Sequence, residues 1–177
     1  MLAIDCFGPQ AAYDYRFATD VLRKVGEMLR KRVLHELSVD TRVGVIESVW
    51  WIHPEMTGDE MAARFADRSD WHWQQMIEVP HAATDTDAEA SIDDARGQAG
   101  RSEPLVRLIR LTEGRAAQIL HVGGPATEPA AVRTLYAAVM QAGLRPRGHL
   151  HQIHLVDVEH VPAGRGRSII RLPIEPA

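Results

Sequence analysis

All four tryptophans of the chain lie in two short stretches, and both stretches alternate as a strand does. Residues 43–53, VGVIESVWWIH, carry Trp50 and Trp51 just after Glu47. Residues 69–80, SDWHWQQMIEVP, carry Trp71 and Trp73 two positions apart. A strand sends successive side chains to opposite faces. Trp71, Trp73, Gln75 and Ile77 therefore share one face of the second stretch. In the first, Glu47, Val49 and Trp51 share one face and Ile46, Ser48 and Trp50 the other. Two such strands side by side build an aromatic wall carrying one acid, which suits an apolar or planar small molecule. The commoner fate of such residues is plainer: indoles in a core and an acid at a solvated sheet edge.

Around these stretches the chain reads as follows. Residues 1–7 form an apolar strand, stopped by Gly8-Pro9. Residues 11–37 form a long helix whose apolar stripe is Tyr13, Phe17, Val21, Val25, Met28 and Leu29. Arg23, Lys24, Arg30, Lys31 and Arg32 stand off that stripe as a solvated face. Residues 41–52 are the first tryptophan strand. Thr57-Gly58-Asp59-Glu60 has the form of a capping box and opens a short helix with Met61 and Phe65 inward. Residues 71–79 are the second tryptophan strand. Residues 84–101 form an acidic, alanine-rich connecting helix, with Thr86 and Glu89 as its cap and Ile92 and Ala95 docking. Residues 105–111 and 115–122 read as two strands joined by a hairpin at Thr112-Glu113-Gly114. Thr127 caps a helix over 128–142, with Pro129 in its first turn and Gly143 as its stop. Residues 147–158 and 168–174 are the last two strands.

The order strand, helix, strand, strand thus occurs twice, in residues 1–80 and 105–177, with a connector at 81–104. The expected fold is α+β, a single domain of two pseudo-symmetric units, built from antiparallel sheets with long helices, facing a central ligand cleft. At 45% apolar and 25% charged residues, the composition is that of an ordinary globular protein. The net charge of −4 gives no reason to expect a nucleic-acid partner. No apolar run is long enough to span a membrane. The single cysteine, Cys6, forms no internal disulfide, and a cytoplasmic location is expected.

Several segments resemble the GyrI-like small-molecule-binding domain, the effector-binding domain of bacterial multidrug-sensing regulators, in its stand-alone form. VIESVWW at 45–51 is similar to that family's "LEGLWW" strand, and DWHWQQMIEVP at 70–80 to its "KWKWTMMIMQP" strand. GRAAQILHVGGP at 114–125 resembles "GLCVQMMHIGPY", and RPRGHLHQIHLVD at 145–157 resembles "KPRGKHHEIYLSD". The opening MLAIDCFGP resembles "FIAIDGKGDP". The resemblance implies two strand-helix-strand-strand units around a cleft for hydrophobic, often cationic or polycyclic, compounds. It also implies two alternatives: hydrolysis of strained, cyclopropane-bearing natural products, as in some stand-alone members, or inhibition of DNA gyrase. Glu47 keeps the glutamate of "LEGLWW". Gln152 and His154 stand where "HHEIY" has glutamate and tyrosine, Ala126 replaces the tyrosine of "IGPY", and Cys6 replaces a glycine.

The site expected from these readings is lined by Trp50, Trp51, Trp71, Trp73, Gln75, Met76, His121, Leu150 and Gln152. An amide at Gln152 carries no charge, so a neutral ligand is expected where a carboxylate would favour a cation. An imidazole can give or take a proton at neutral pH, so His154, with Glu47 across the cleft, is the expected acid–base pair. His149 and His151 share a strand face that excludes His154, so no metal site is expected, nor any cofactor. His121 reads as a hydrogen-bonded core histidine and Cys6 as a structural thiol. The expected partner is a hydrophobic small molecule, bound by a monomer or homodimer, for resistance or detoxification.

Overall fold

The computed structural model describes residues 1–7, 11–51, 56–66, 72–98, 105–156, 162 and 164–177, without the side chains of residues 7, 11–14, 64, 65 and 98. Trp71 and the side chains of Tyr13 and Phe65 lie outside the described residues. The strands are β1 (Leu2–Phe7), β2 (Ile46–Trp50), β3 (His72–Ile77), β4 (Arg107–Leu108), β5 (Ala116–Val122), β6 (Leu144–Pro146), β7 (Leu150–His154) and β8 (Arg167–Pro176). The helices are α1 (Ala11–Leu37), α2 (Gly58–Ala66), α3 (Asp85–Gln98) and α4 (Glu128–Gln141). The fold is α+β, and its antiparallel strands join in the order β4-β1-β3-β2-β7-β8-β5, with β6 paired to β8.

This order has a centre. Outward from the β2–β7 contact it reads β2, β3, β1 on one side and β7, β8, β5 on the other, so third strands sit between first and second strands in both halves. The halves meet edge to edge in one sheet, where facing sheets were expected. A Greek-key-like third strand covers one edge of each second strand, and the other edge is left to pair across the seam. The seam register is Glu47↔Ile153, Ser48↔Gln152, Val49↔His151 and Trp50↔Leu150.

Period-2 alternation then assigns the faces. One face carries Ile4, Ile46, Ser48, Trp50, Trp73, Gln75, Leu150, Gln152, Ile170 and Leu172, all buried. Helix α1 lies on the first half of this face and α4 on the second, and α2 packs on α4. The buried stripe of α1 is Ala18, Val21, Leu22, Val25, Leu29 and Val33. Phe17 and Met28 sit at its margin. The basic run of α1 holds surface pairs: Arg30 meets Glu27 at 2.8 Å and Asp40 at 3.0 Å, and Arg32 meets Asp94 of α3 at 2.6 Å.

The capping box at Thr57 and Glu60 forms: Thr57 N donates to Glu60 Oε2 (2.8 Å) and Glu60 N to Thr57 Oγ1 (3.3 Å). At α3 the box is Thr84 with Asp87, two residues earlier than expected. Thr127 precedes α4 without capping it; its hydroxyl is bonded to Gly124 O and His121 Nε2 instead. Gly143 ends the α4 turn at φ +69, where a side chain would be strained. Gly58 brings α2 against α4, since a Cβ there would stand 2.9 Å from Tyr136 Cβ. Gly58→Val is expected to cost about 1–3 kcal/mol in denaturant unfolding, through overpacking of this helix contact.

The expected hairpin at residues 112–114 does not form. Strands β4 and β5 lie at opposite edges of the sheet, so the segment 109–115 crosses a whole face as a strap. It is tied at its start by Met1, whose N donates to Ile109 O and whose O accepts from Ile109 N, both at 2.9 Å. Gly114 adopts φ +68, which explains the turn-like sequence without a hairpin. Of the strand expected over 147–158 only 150–154 forms, as β7; β6 at 144–146 precedes it, with Arg147 N donating to Pro173 O (3.0 Å) between the two.

Candidate functional site

Where β2 begins and β7 ends, the helix-covered face is open. A cleft of about 400 Å³ lies there between α1 and the sheet, lined by Tyr15, Thr19, Arg23 and Glu27, residues 43–46, Ile77, and residues 154–156. Its size suits a small organic molecule. The walls are mainly aliphatic (Val43, Val45, Ile46, Ile77, Leu155, Val156), and α1 contributes a polar row at helical spacing. Arg23 and Glu27 give the rim both signs of charge.

At the inner end three side chains share hydrogen bonds. The Tyr15 hydroxyl is 2.8 Å from Ser48 Oγ and 2.8 Å from His154 Nε2, and Ser48 Oγ is 3.3 Å from the same nitrogen. Ser48 is fully buried on β2, Tyr15 comes from α1, and His154 ends β7, so the cluster spans the seam. Beside it, Gln75 Nε2 donates to Thr19 Oγ1 (2.9 Å), and Thr19 Oγ1 donates to the Tyr15 carbonyl (3.0 Å), which fixes the first turn of the row.

Behind Tyr15 stand two indoles. Its ring stacks on Trp50 (centroids 5.9 Å apart, planes 9° apart) and meets Trp73 edge-on at 5.1 Å. Trp50 and Trp73 are 3% and 0% exposed, so they back the site and do not line the open cleft. Trp73 Nε1 has no hydrogen-bond partner among the described residues.

Beyond the indoles a buried polar chain runs under α4. Trp50 Nε1 donates to Gln152 Oε1 (3.3 Å), and Gln152 Nε2 donates to Glu128 Oε1 (2.6 Å) and Ser168 Oγ (3.4 Å). Ser168 Oγ reaches His121 Nδ1 at 3.5 Å, and His121 Nε2 meets Thr127 Oγ1 at 2.8 Å. A carboxyl group thus sits in this region after all. It comes from the first residue of α4, 5% exposed, and not from β7.

The expected pairing of Glu47 with His154 is corrected by the sheet. The two lie on opposite faces, because one continuous sheet keeps parity across the seam where two facing sheets would not. Glu47 joins a second constellation under the strap. His151, 1% exposed, has Nδ1 2.7 Å from Glu113 Oε1 and Nε2 2.8 Å from Glu47 Oε2. Arg171 Nη1 meets Glu113 Oε2 at 2.7 Å and its Nε donates to Gln118 Oε1 at 3.1 Å. Burial opposes the charged imidazole of His151, yet the two carboxylates raise its pKa. Burial likewise opposes ionised Glu113, and His151 with Arg171 brings its pKa down.

Met76 and Trp51 also belong to that second face. Met76 is fully buried, and Trp51, 38% exposed, lies against His149 (4.9 Å) and His72 (5.7 Å). Of the other expected ligand-binding residues, Gln75, Leu150, Gln152 and His121 are on the cleft's side of the sheet but buried. Among the described residues no group of three His, Cys, Asp or Glu is placed to hold a metal ion. Cys6 is opposite Trp73 on the neighbouring strand and packs against the core. Among the described residues no helix is long and apolar enough to cross a membrane.

The architecture defines a class: one antiparallel sheet of two joined halves with helices on one face. Solved structures share it. An uncharacterised conserved protein from Listeria innocua aligns at TM-score 0.79 and 24% identity, over 98% of this chain and 86% of that one. A hydrolase from Listeria innocua aligns at TM-score 0.76 and 23% identity, over 98% and 86%. The EcmrR C-terminal domain aligns at TM-score 0.58 and 9% identity, over 99% and 90%. At these identities the likeness is one of fold. No protein-family profile matches the chain, and no curated protein does.

Proposed function

We propose that this protein binds a neutral, largely apolar organic molecule in the cleft beside α1 and hydrolyses it. The observation that carries the reading is the Tyr15 hydroxyl held between Ser48 and His154 at the inner end of the cleft. Such sharing makes a proton easy to move in either direction. With the imidazole proton on Nε2, His154 donates to the Tyr15 oxygen, and Tyr15 delivers its own proton to a leaving atom. With the proton on Nδ1, Tyr15 donates to His154 and relays a proton taken from attacking water. The aliphatic walls favour an apolar body, and the mixed charges of Arg23 and Glu27 favour no net sign. The name of one fold neighbour, a hydrolase, agrees with this reading.

The resemblance to GyrI-like proteins narrows the substrate to strained, polycyclic natural products and the role to detoxification. The test is direct. Purified protein is incubated with neutral polycyclic compounds that carry a cyclopropane or epoxide, and the mixtures are read by mass spectrometry. Gain of one water by a compound, dependent on intact Tyr15, is the expected result. Recovery of every compound unaltered but bound would make the protein a sequestering module, and recovery of every compound unbound would end the proposal.

A further inference from the structure

The two edges of the sheet are treated differently. At one edge β4 has only two residues, and α3 reaches over it, with Arg96 Nη2 donating to Val106 O (3.2 Å). At the other, β5 runs for seven residues with the sequence AAQILHV, which contains neither a formally charged residue nor a proline. Natural sheets protect an exposed edge with charge, proline, a bulge or a cover. Among the described residues strand β5 has none of these.

The hydrogen-bond register shows which backbone groups are left over. Ile174 N donates to Arg115 O (3.0 Å) and Gly123 N to Gly166 O (2.9 Å). Both pairs continue the register through Ala117↔Leu172, Ile119↔Ile170 and His121↔Ser168. Bonded and non-bonded pairs alternate in an antiparallel ladder. The odd-numbered residues of β5 therefore turn their N–H and C=O to β8. Those of Ala116, Gln118, Leu120 and Val122 turn outward, and none has a partner among the described residues. The side chains beside these groups are apolar and open: Leu120 and Val122 are each 56% exposed.

We propose that β5 is the dimer edge of this protein, and that a second copy pairs with it antiparallel about a two-fold axis through Ile119. That register sets Ala116 opposite the partner's Val122 and Gln118 opposite the partner's Leu120, so all four outward residues of each copy are bonded. A two-fold axis makes the contact isologous and closed, and it opposes no like charges along the strand. The absence of charge over all seven residues argues for a second copy of the same edge over a charged peptide. One sheet then runs through both copies, and each cleft, at the seam of its own half-sheets, stays open.

The full chain is measured by sedimentation or light scattering from low micromolar to near-millimolar concentration. A dimer is expected. Leu120→Lys and Leu120→Pro are each expected to give a monomer with unchanged circular dichroism. Proline at position 120 removes an outward N–H that the monomer does not use, so an edge strand tolerates it. Should either variant fail to fold, backbone amide exchange in the unaltered protein decides. The amides of Gln118, Leu120 and Val122 are expected to slow at least about tenfold as concentration rises. A monomer at every concentration, a dimer that survives both substitutions, or exchange at these amides that ignores concentration would overturn the proposal.

Discussion

His154→Gln is expected to lower hydrolysis by about a hundredfold or more while barely moving the unfolding midpoint. A glutamine keeps a hydrogen-bonding group near the Tyr15 hydroxyl but can neither give up nor take on a proton near neutral pH. The imidazole sits partly exposed at the end of β7, and a glutamine can keep a hydrogen bond to Tyr15, which limits the cost to the fold. Tyr15→Phe should have an effect of similar size for a different reason. It deletes the relay oxygen but keeps the ring that stacks on Trp50, and it leaves Ser48 and His154 within 3.3 Å of each other. Binding should therefore survive, so the loss should fall on kcat with KM little changed. Steady-state kinetics on the substrate found above separates the cases. Unchanged turnover in His154→Gln would remove the imidazole from the chemistry, and a loss confined to KM would make Tyr15 a binding residue only.

Glu113→Ala is expected to destabilise the protein by about 3 kcal/mol in denaturant unfolding near pH 6. The substitution leaves His151, 1% exposed, and Arg171 without the carboxylate they share, and frees the strap. The pH dependence has a defined sign. The pKa of His151 is raised above 6.5, so its contribution is complete below that pH and is lost as pH rises through the raised value. The pKa of Glu113 is lowered beneath 4.5, so its contribution is complete above that pH and is lost as pH falls through the lowered value. Both are fully present between about 4.5 and 6.5. His151→Gln should flatten the alkaline side of the stability profile and also weaken the acid side, where only Arg171 would still hold the Glu113 pKa down. A profile that keeps its alkaline slope in this variant would place the titrating group elsewhere.

Much of the scaffold was legible because it rests on local periodicity. The bounds of α1 follow from an apolar stripe at 3.6-residue spacing, and the alternation in β3 put Trp73, Gln75 and Ile77 on one face. The tertiary arrangement was not legible. Whether Glu47 meets His154 depends on whether two half-sheets face each other or join at an edge, and strand parity carries no such information. Glu113 looked like part of a hairpin because Gly114 needs a positive φ in either setting. Tyr15 was missed for another reason. It sits in a helix read for its apolar residues, and the only signal was a row of Tyr15, Thr19, Arg23 and Glu27 at four-residue steps.

The edge-to-edge seam has a consequence for how the molecule is made. The groups that Tyr15 joins are 33 and 139 residues away along the chain, and β2 waits for β7 before its open edge is satisfied. During synthesis the half that carries β2 must therefore persist with a bare, tryptophan-bearing strand until β7 emerges. Assembly of such remote pairings is slow, and the waiting intermediate is the species most prone to stick to its neighbours or to recruit a chaperone.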